Sequence, residues 1–78
     1  MKTLLSLENV SCVEYISNDD RVGINVHYFK NEPAYRIGKD IKKLCYESTK
    51  YVKEKYDKIY ENIKEATKKG DRYVEIEI

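Results

Sequence analysis

The stretch that decides the fold runs from Asp40 to Lys69 and reads DIKKLCYESTKYVKEKYDKIYENIKEATKK. Its apolar residues recur at steps of three, four or seven, so they share one face of an α-helix. These residues are Ile41, Cys45, Val52, Tyr56, Ile59, Ile63 and Ala66. Lysine and glutamate fill most of the other positions, which is typical of a solvated helix face. The pattern therefore predicts one long amphipathic helix.

Both ends of this helix carry local signals. Asp40 is predicted to be the N-cap, because its short acidic side chain can accept a hydrogen bond from a free amide of the first turn. Gly70 is predicted to end the helix, since a residue that adopts positive φ commonly follows the last turn. Ser48 and Thr49 mark a second start, so the helix is either continuous or broken near Ser48.

The residues before the helix predict an antiparallel hairpin. Residues 3–17 are rich in strand formers, but their alternation requires a bulge or a break near Glu8 and Asn9. The polar sequence of residues 17–20 predicts a turn, because such side chains bond their own backbone. Residues 21–30 alternate regularly and predict the second strand. Its inward face is formed by Val22, Ile24, Val26 and Tyr28.

Two further segments complete the fold. Residues 34–39 fit either a third strand or a backward extension of the helix, and the sequence leaves both open. Residues 72–78 alternate and predict a terminal strand that joins the sheet begun by the hairpin. The predicted class is therefore α+β, with a single domain over residues 1–78. A small antiparallel sheet, made of the N-terminal hairpin and the C-terminal strand, packs on one long or kinked amphipathic helix.

The lengths of these elements do not match. A helix of about thirty residues spans roughly 45 Å, whereas a strand of about eight residues spans roughly 27 Å. Either the surplus apolar stripe forms a seam with another molecule, or the stripe packs entirely on the sheet of its own chain. The residues of the predicted oligomer seam are Val52, Tyr56, Ile59 and Ile63.

Composition narrows the class of protein. The formal net charge is only +1, which disfavours a dedicated nucleic-acid binder, although ten lysines face six acids between Lys39 and Lys69. The first residues contain too short an apolar run for a signal peptide. No stretch approaches the roughly 20 apolar residues of a membrane span. Cys12 and Cys45 lie far apart, and reduced, packed thiols are the simplest interpretation. We therefore expect a cytoplasmic protein that does not bind membranes.

The chemical groups argue against catalysis. His27 is the single histidine, and no motif places an acid, serine or cysteine beside it. Two distant cysteines and one histidine do not supply a zinc site, and three scattered glycines do not make a phosphate loop. Asp19 and Asp20 are interpreted as a solvated turn rather than a cation site. We expect no catalytic residues, no bound metal and no cofactor.

Tyrosine is unusually frequent, at eight of 78 residues. On the predicted helix, Tyr46 and Tyr60 fall on one flank together with Lys53 and Lys64. Such rings can cover the rim of a thin core, form a protein interface, or stack on a base while lysine neutralises a phosphate. These four residues are the candidate binding site. The leading prediction is a protein partner or a homo-oligomer, with a nucleotide ligand or single-stranded nucleic acid as alternatives.

Three segments carry a resemblance to known proteins. They are the opening LENVSCVEYI of residues 7–16, the strand INVHYF of residues 24–29, and the helix VKEKYDKIYENI of residues 52–63. In pattern and composition the chain resembles small proteins encoded by phages and mobile elements of low-GC Gram-positive bacteria. Some of these disarm host defence by occluding an effector protein or by sequestering a nucleotide signal. The resemblance implies a non-enzymatic inhibitor and assigns no role to a particular residue.

Overall fold

The computed structural model describes residues 2–29, 33–41 and 49–77, and within them the chain forms five strands and one helix. In chain order these are β1 (Lys2–Ser6), β2 (Val10–Ser17), β3 (Arg21–Tyr28), β4 (Tyr35–Asp40), α1 (Thr49–Lys69) and β5 (Tyr73–Glu77). Every strand pair is antiparallel, and the apolar face of α1 packs on the strands. The predicted α+β fold is confirmed.

The strands form two sheets, β2-β3-β4 and β1-β5. The terminal strand joins the N-terminal strand region, as predicted, but it pairs with β1 rather than with the hairpin of β2 and β3, and it places Val74 opposite Leu5. A turn at residues 8–9 interrupts the N-terminal strand region and leaves β1 with its own edge for pairing. The amide of Leu7 extends this contact by donating to the carbonyl of Arg72 at 2.8 Å.

The hairpin of β2 and β3 closes through the predicted polar turn. The side-chain oxygen of Asn18 accepts hydrogen bonds from the amides of Asp20 at 2.9 Å and Arg21 at 2.8 Å. The amide of Asn18 donates to the carbonyl of Arg21 at 2.9 Å, which begins the ladder. Asn18 therefore orders the turn by replacing missing backbone partners, which explains the preference for this residue type here.

A bulge corrects the imperfect alternation of β2. Val10 pairs with Tyr28, but the next pair is Cys12 with His27, so Ser11 is an extra residue. The insertion reverses the alternation and puts Val10 on the same face as Val13. The break predicted near Glu8 and Asn9 is confirmed as a turn, and the bulge is a second irregularity.

The segment that the sequence left open is a strand. Tyr35–Asp40 forms β4, and Ile37 lies opposite Ile24, where both side chains are buried. Asp40 ends β4 opposite Arg21, and the residues after Ile41 that would test its predicted role as the helix N-cap lie outside the described residues. The long-range pairing with β3 buries Ile37 more completely than a solvated helical turn would, and that burial decides the choice.

The described helix spans Thr49–Lys69, and Thr49 lies where the sequence predicted a second start. The predicted region 42–48, which contains Cys45 and Tyr46, lies outside the described residues. At the other end Gly70 adopts φ 74°. Its amide donates to the carbonyl of Thr67 at 3.2 Å, and the amide of Asp71 donates to that of Ala66 at 3.0 Å. This pair of bonds is the Schellman arrangement, so the predicted helix end is confirmed.

The apolar stripe of α1 is buried inside the single chain. The exposed fractions are 1% for Val52, 1% for Tyr56, 4% for Ile59 and 2% for Ile63. These residues therefore cannot form the predicted oligomer seam, and the alternative, packing on the chain's own sheet, is what the structure has. Over the described part of the helix, two features remove the mismatch in length. The described helix has 21 residues, which span only about 32 Å, and α1 lies against both β3 and β5.

Candidate binding groove

A groove of about 370 Å³ lies between the C-terminal half of α1 and the start of β2. It is lined by Leu7, Val10, Ser11, Cys12 and Val13 on one side and by Tyr60, Ile63, Lys64, Thr67 and Lys68 on the other. The helical members are spaced by three or four residues, so they project from one flank of α1. The floor is mainly apolar and the helical rim carries the cations.

The groove contains two of the four residues predicted to bind. Tyr60 and Lys64 line it, whereas Lys53 lies about two turns earlier on α1, is half-buried and does not contribute to its surface. Tyr46, the fourth, lies outside the described residues. The groove therefore contains the two C-terminal residues of the predicted site.

The β2 side of the groove was not predicted. Read as a continuous strand, the sequence puts Val10 and Val13 on opposite faces. The bulge at Ser11 brings them to the same face, beside Leu7. The hydroxyl of Ser11 donates to the carbonyl of His27 at 3.2 Å and so helps to hold the bulge. The irregular alternation signalled a break, but did not reveal the surface that the break creates.

Tyr60 is held in place by a second aromatic ring. Its centroid lies 5.8 Å from that of Tyr15, with the two planes inclined by 58°. This tilted arrangement is favourable for aromatic pairs. The Tyr15 hydroxyl donates in turn to the carboxylate of Asp57, one turn before Tyr60 on α1. Tyr60 is therefore a positioned wall of the groove, and one side of its ring is already occupied.

The cations of the rim are available to a ligand. Lys64 and Lys68 are exposed, and neither forms an ion pair within residues 2–29, 33–41 and 49–77. The hydroxyl of Thr67, which lies between them, donates to the carbonyl of Ile63 at 2.8 Å and is satisfied by its own helix. Charge recognition at this rim therefore depends on the two lysines.

The hydroxyl of Tyr15 holds its proton unusually tightly. Burial, followed by the hydrogen bond to Asp57 and the negative charge of that residue, raises the pKa of Tyr15 from 10.0 to about 12. Burial also raises the pKa of Tyr56, an effect that the charge of Lys39 partly opposes. The folded state therefore favours the neutral form of both phenols.

The first prediction is a loss of stability in alkaline solution. As the pH rises from 10.0 towards about 12, the unfolded chain releases the Tyr15 proton while the folded chain keeps it, so the free energy of unfolding should fall. Tyr15→Phe should flatten this fall, whereas Tyr73→Phe, at an exposed ring, should leave it unchanged. Urea unfolding at about pH 9 and about pH 11 measures the difference. An equal fall in the free energy of unfolding between the two pH values in all three proteins would contradict this prediction.

The remaining titratable groups in the described part of the chain form no evident site. The ring of His27 contacts the carboxylate of Glu14, its neighbour on β2, a cross-strand pair that no sequence motif indicated. Cys12 is an exposed free thiol. Among the residues that the structure describes, no three His, Cys, Asp or Glu side chains are grouped to hold a metal ion. In that same part of the chain, no helix is both long and apolar enough to cross a membrane.

The groove has the chemistry of a recognition surface. Leu7, Val10 and Val13 form an apolar floor and Tyr60 forms a positioned aromatic wall, while Lys64 and Lys68 add two exposed cations. Such a surface suits a ligand with apolar side chains next to carboxylates. Comparisons of the chain with protein-family models, with curated proteins and with solved structures find no match.

Proposed function

We propose that this protein is a non-enzymatic interaction module that binds an acidic segment of a protein partner in the groove between α1 and β2. The observation that carries the proposal is an open apolar groove whose rim carries two exposed lysines, which form no ion pair within the described part of the chain. Apolar anchors in a pocket supply most of the binding energy at protein interfaces. Rim charges mainly select the partner and speed the encounter.

A protein partner is favoured over a second copy of this chain. The helical stripe that would have joined two copies is buried within one. A nucleotide stacked on the helical tyrosines is also less favoured here, because one side of the Tyr60 ring packs on Tyr15. The resemblance to small phage proteins suggests a biological role for this binding: the protein would be a cytoplasmic inhibitor that occludes an effector of a bacterial defence system.

The groove is tested by selecting peptides from a displayed random library on the wild-type protein. Selected peptides should combine Asp or Glu with Leu, Ile or Phe. Their affinity should fall by about tenfold or more in Lys64→Glu/Lys68→Glu, because both rim charges then repel the peptide. Fluorescence anisotropy measures the affinities.

The matched control is Lys50→Glu/Lys58→Glu, which makes the same change in net charge at exposed positions of α1 outside the groove. This variant should lose much less affinity. A separate variant, Val10→Thr, keeps the shape of the floor but adds a hydroxyl, and it too should weaken binding. Equal losses in both charge variants, with no effect of Val10→Thr, would show that attraction to the protein is non-specific and would refute the groove.

A further inference from the structure

The opposite face of the three-stranded sheet carries a second concave surface. A depression of about 440 Å³ lies on the side of β2, β3 and β4 that is turned away from α1. Its floor is formed where Gly23 and Gly38 lie directly opposite each other on neighbouring strands. Neither residue has a side chain, and although Gly23 is buried, Gly38 is exposed, so its backbone is accessible between the flanking rows. Ile16, opposite Gly23 on β2, closes one side with an apolar wall.

An arginine lies at each end of this floor. One end has Arg21 opposite Asp40, and the other has Asn25 opposite Arg36. Four residues along β3 separate the two rows, which places them roughly 13 Å apart. Neither guanidinium group has an ion-pair partner in the described part of the chain. The depression is thus a flat strip of backbone with an arginine at each end.

The two ends differ in charge. Asp40 lies opposite Arg21 and reduces the attraction of that end for an anion. Arg36 faces the neutral amide of Asn25, so its end is the more favourable for a phosphate, which a guanidinium can bind through two parallel hydrogen bonds. At the other end, a carboxylate and a guanidinium together present an acceptor and donors, as the polar edge of a purine requires.

We propose that this depression binds a nucleoside phosphate. The base lies flat on the glycine floor against Ile16, the phosphate pairs with Arg36, and the edge of the base meets Arg21 and Asp40. The roughly 13 Å between the end rows allows one ligand to reach both. The site is independent of the groove, because it lies on the other face of the sheet and shares no lining residue with it.

Titration calorimetry and thermal unfolding with ADP and GDP test the assignment, with adenosine and inorganic pyrophosphate as the two halves of the ligand. At least one nucleotide should bind saturably and raise Tm, and each half should bind more weakly. Arg36→Gln should weaken nucleotide binding by about tenfold or more, since it removes a charge-assisted contact. Arg72→Gln, at an exposed arginine outside the depression, should leave the affinity unchanged.

Gly38→Ala places a methyl group on the floor of the depression. It should weaken nucleotide binding and leave pyrophosphate binding unchanged. The proposal is overturned if no nucleotide binds, if Arg36→Gln binds as wild type does, or if pyrophosphate binds as tightly as ADP. Should Gly38→Ala fail to fold, Arg36→Gln decides alone. Lys64→Glu/Lys68→Glu should retain nucleotide binding, so failure of the groove and failure of this site can be told apart.

Discussion

Replacing Tyr56 by alanine should remove a large part of the stability of this protein. Tyr56 is the largest fully buried side chain, with 1% of its surface exposed, and it packs between α1 and the strands. Deleting a large buried side chain costs about 3–5 kcal/mol, because burial is lost and a cavity remains. A chain of 78 residues has a total stability of roughly 4–12 kcal/mol. Tyr56→Ala should therefore lose about a quarter or more of that stability and unfold at a much lower urea concentration than the wild-type protein.

Tyr51 provides a matched control on the same helix. It lies five residues earlier and is 60% exposed, so Tyr51→Ala deletes the same side chain from the surface. Its effect should stay within about 0.5 kcal/mol. Urea unfolding followed by circular dichroism at the helix band measures both variants. Comparable losses would mean that Tyr56 does not have the central position in the core that the structure gives it.

Replacing Gly23 by alanine should give the second large effect. A Cβ atom at this position would lie 2.6 Å from the carbonyl oxygen of Ile37, which belongs to the backbone of β4. Real Cβ atoms do not approach this closely, so β3 and β4 must move apart or lose hydrogen bonds. Forcing extra atoms into a packed site costs about 1–3 kcal/mol, which lowers Tm by roughly 4–20 °C in a domain of this size.

Gly38 is the natural comparison, since it lies opposite Gly23 in the same ladder. A Cβ atom there would be 3.2 Å from the carbonyl oxygen of Val22, a contact that a shift of a few tenths of an ångström relieves. Alanine also restricts the unfolded chain, which stabilises the fold by about 0.4–1 kcal/mol and offsets that strain. Gly38→Ala should therefore stay near wild type in thermal unfolding. If Gly38→Ala lowered Tm more than Gly23→Ala does, the result would contradict the register of β3 and β4.

The two proposed sites place different demands on the fold. The groove uses α1 and the bulged start of β2, whereas the depression uses the far face of the sheet and the β3–β4 register. A partner in the groove and a nucleotide in the depression would not compete for the same residues. If both bind, the three-stranded sheet is the element that separates them, and its central strand β3 contributes to the core and to the depression.

Much of the local structure could be predicted from the sequence. The spacing of Val52, Tyr56 and Ile63 indicated the buried face of α1, and Gly70 indicated its end. The alternation in β3 and in β5 identified both strands. These signals work because helix faces, strand faces, caps and turns depend on residues within about four positions of one another. Two of the residues that line the candidate groove, Tyr60 and Lys64, followed from the same periodicity.

The tertiary structure decided the rest. It paired β5 with β1 and made residues 35–40 a strand. It also buried the apolar stripe of α1 on the chain's own sheets, although the sequence allowed that stripe to form a seam with a second molecule. It also brought Val10 beside Val13 and Gly23 beside Gly38. Each outcome depends on which distant segments bury the most apolar surface together while satisfying their backbone hydrogen bonds. Because whole arrangements of the chain compete in this way, no single segment determines which arrangement is the most stable.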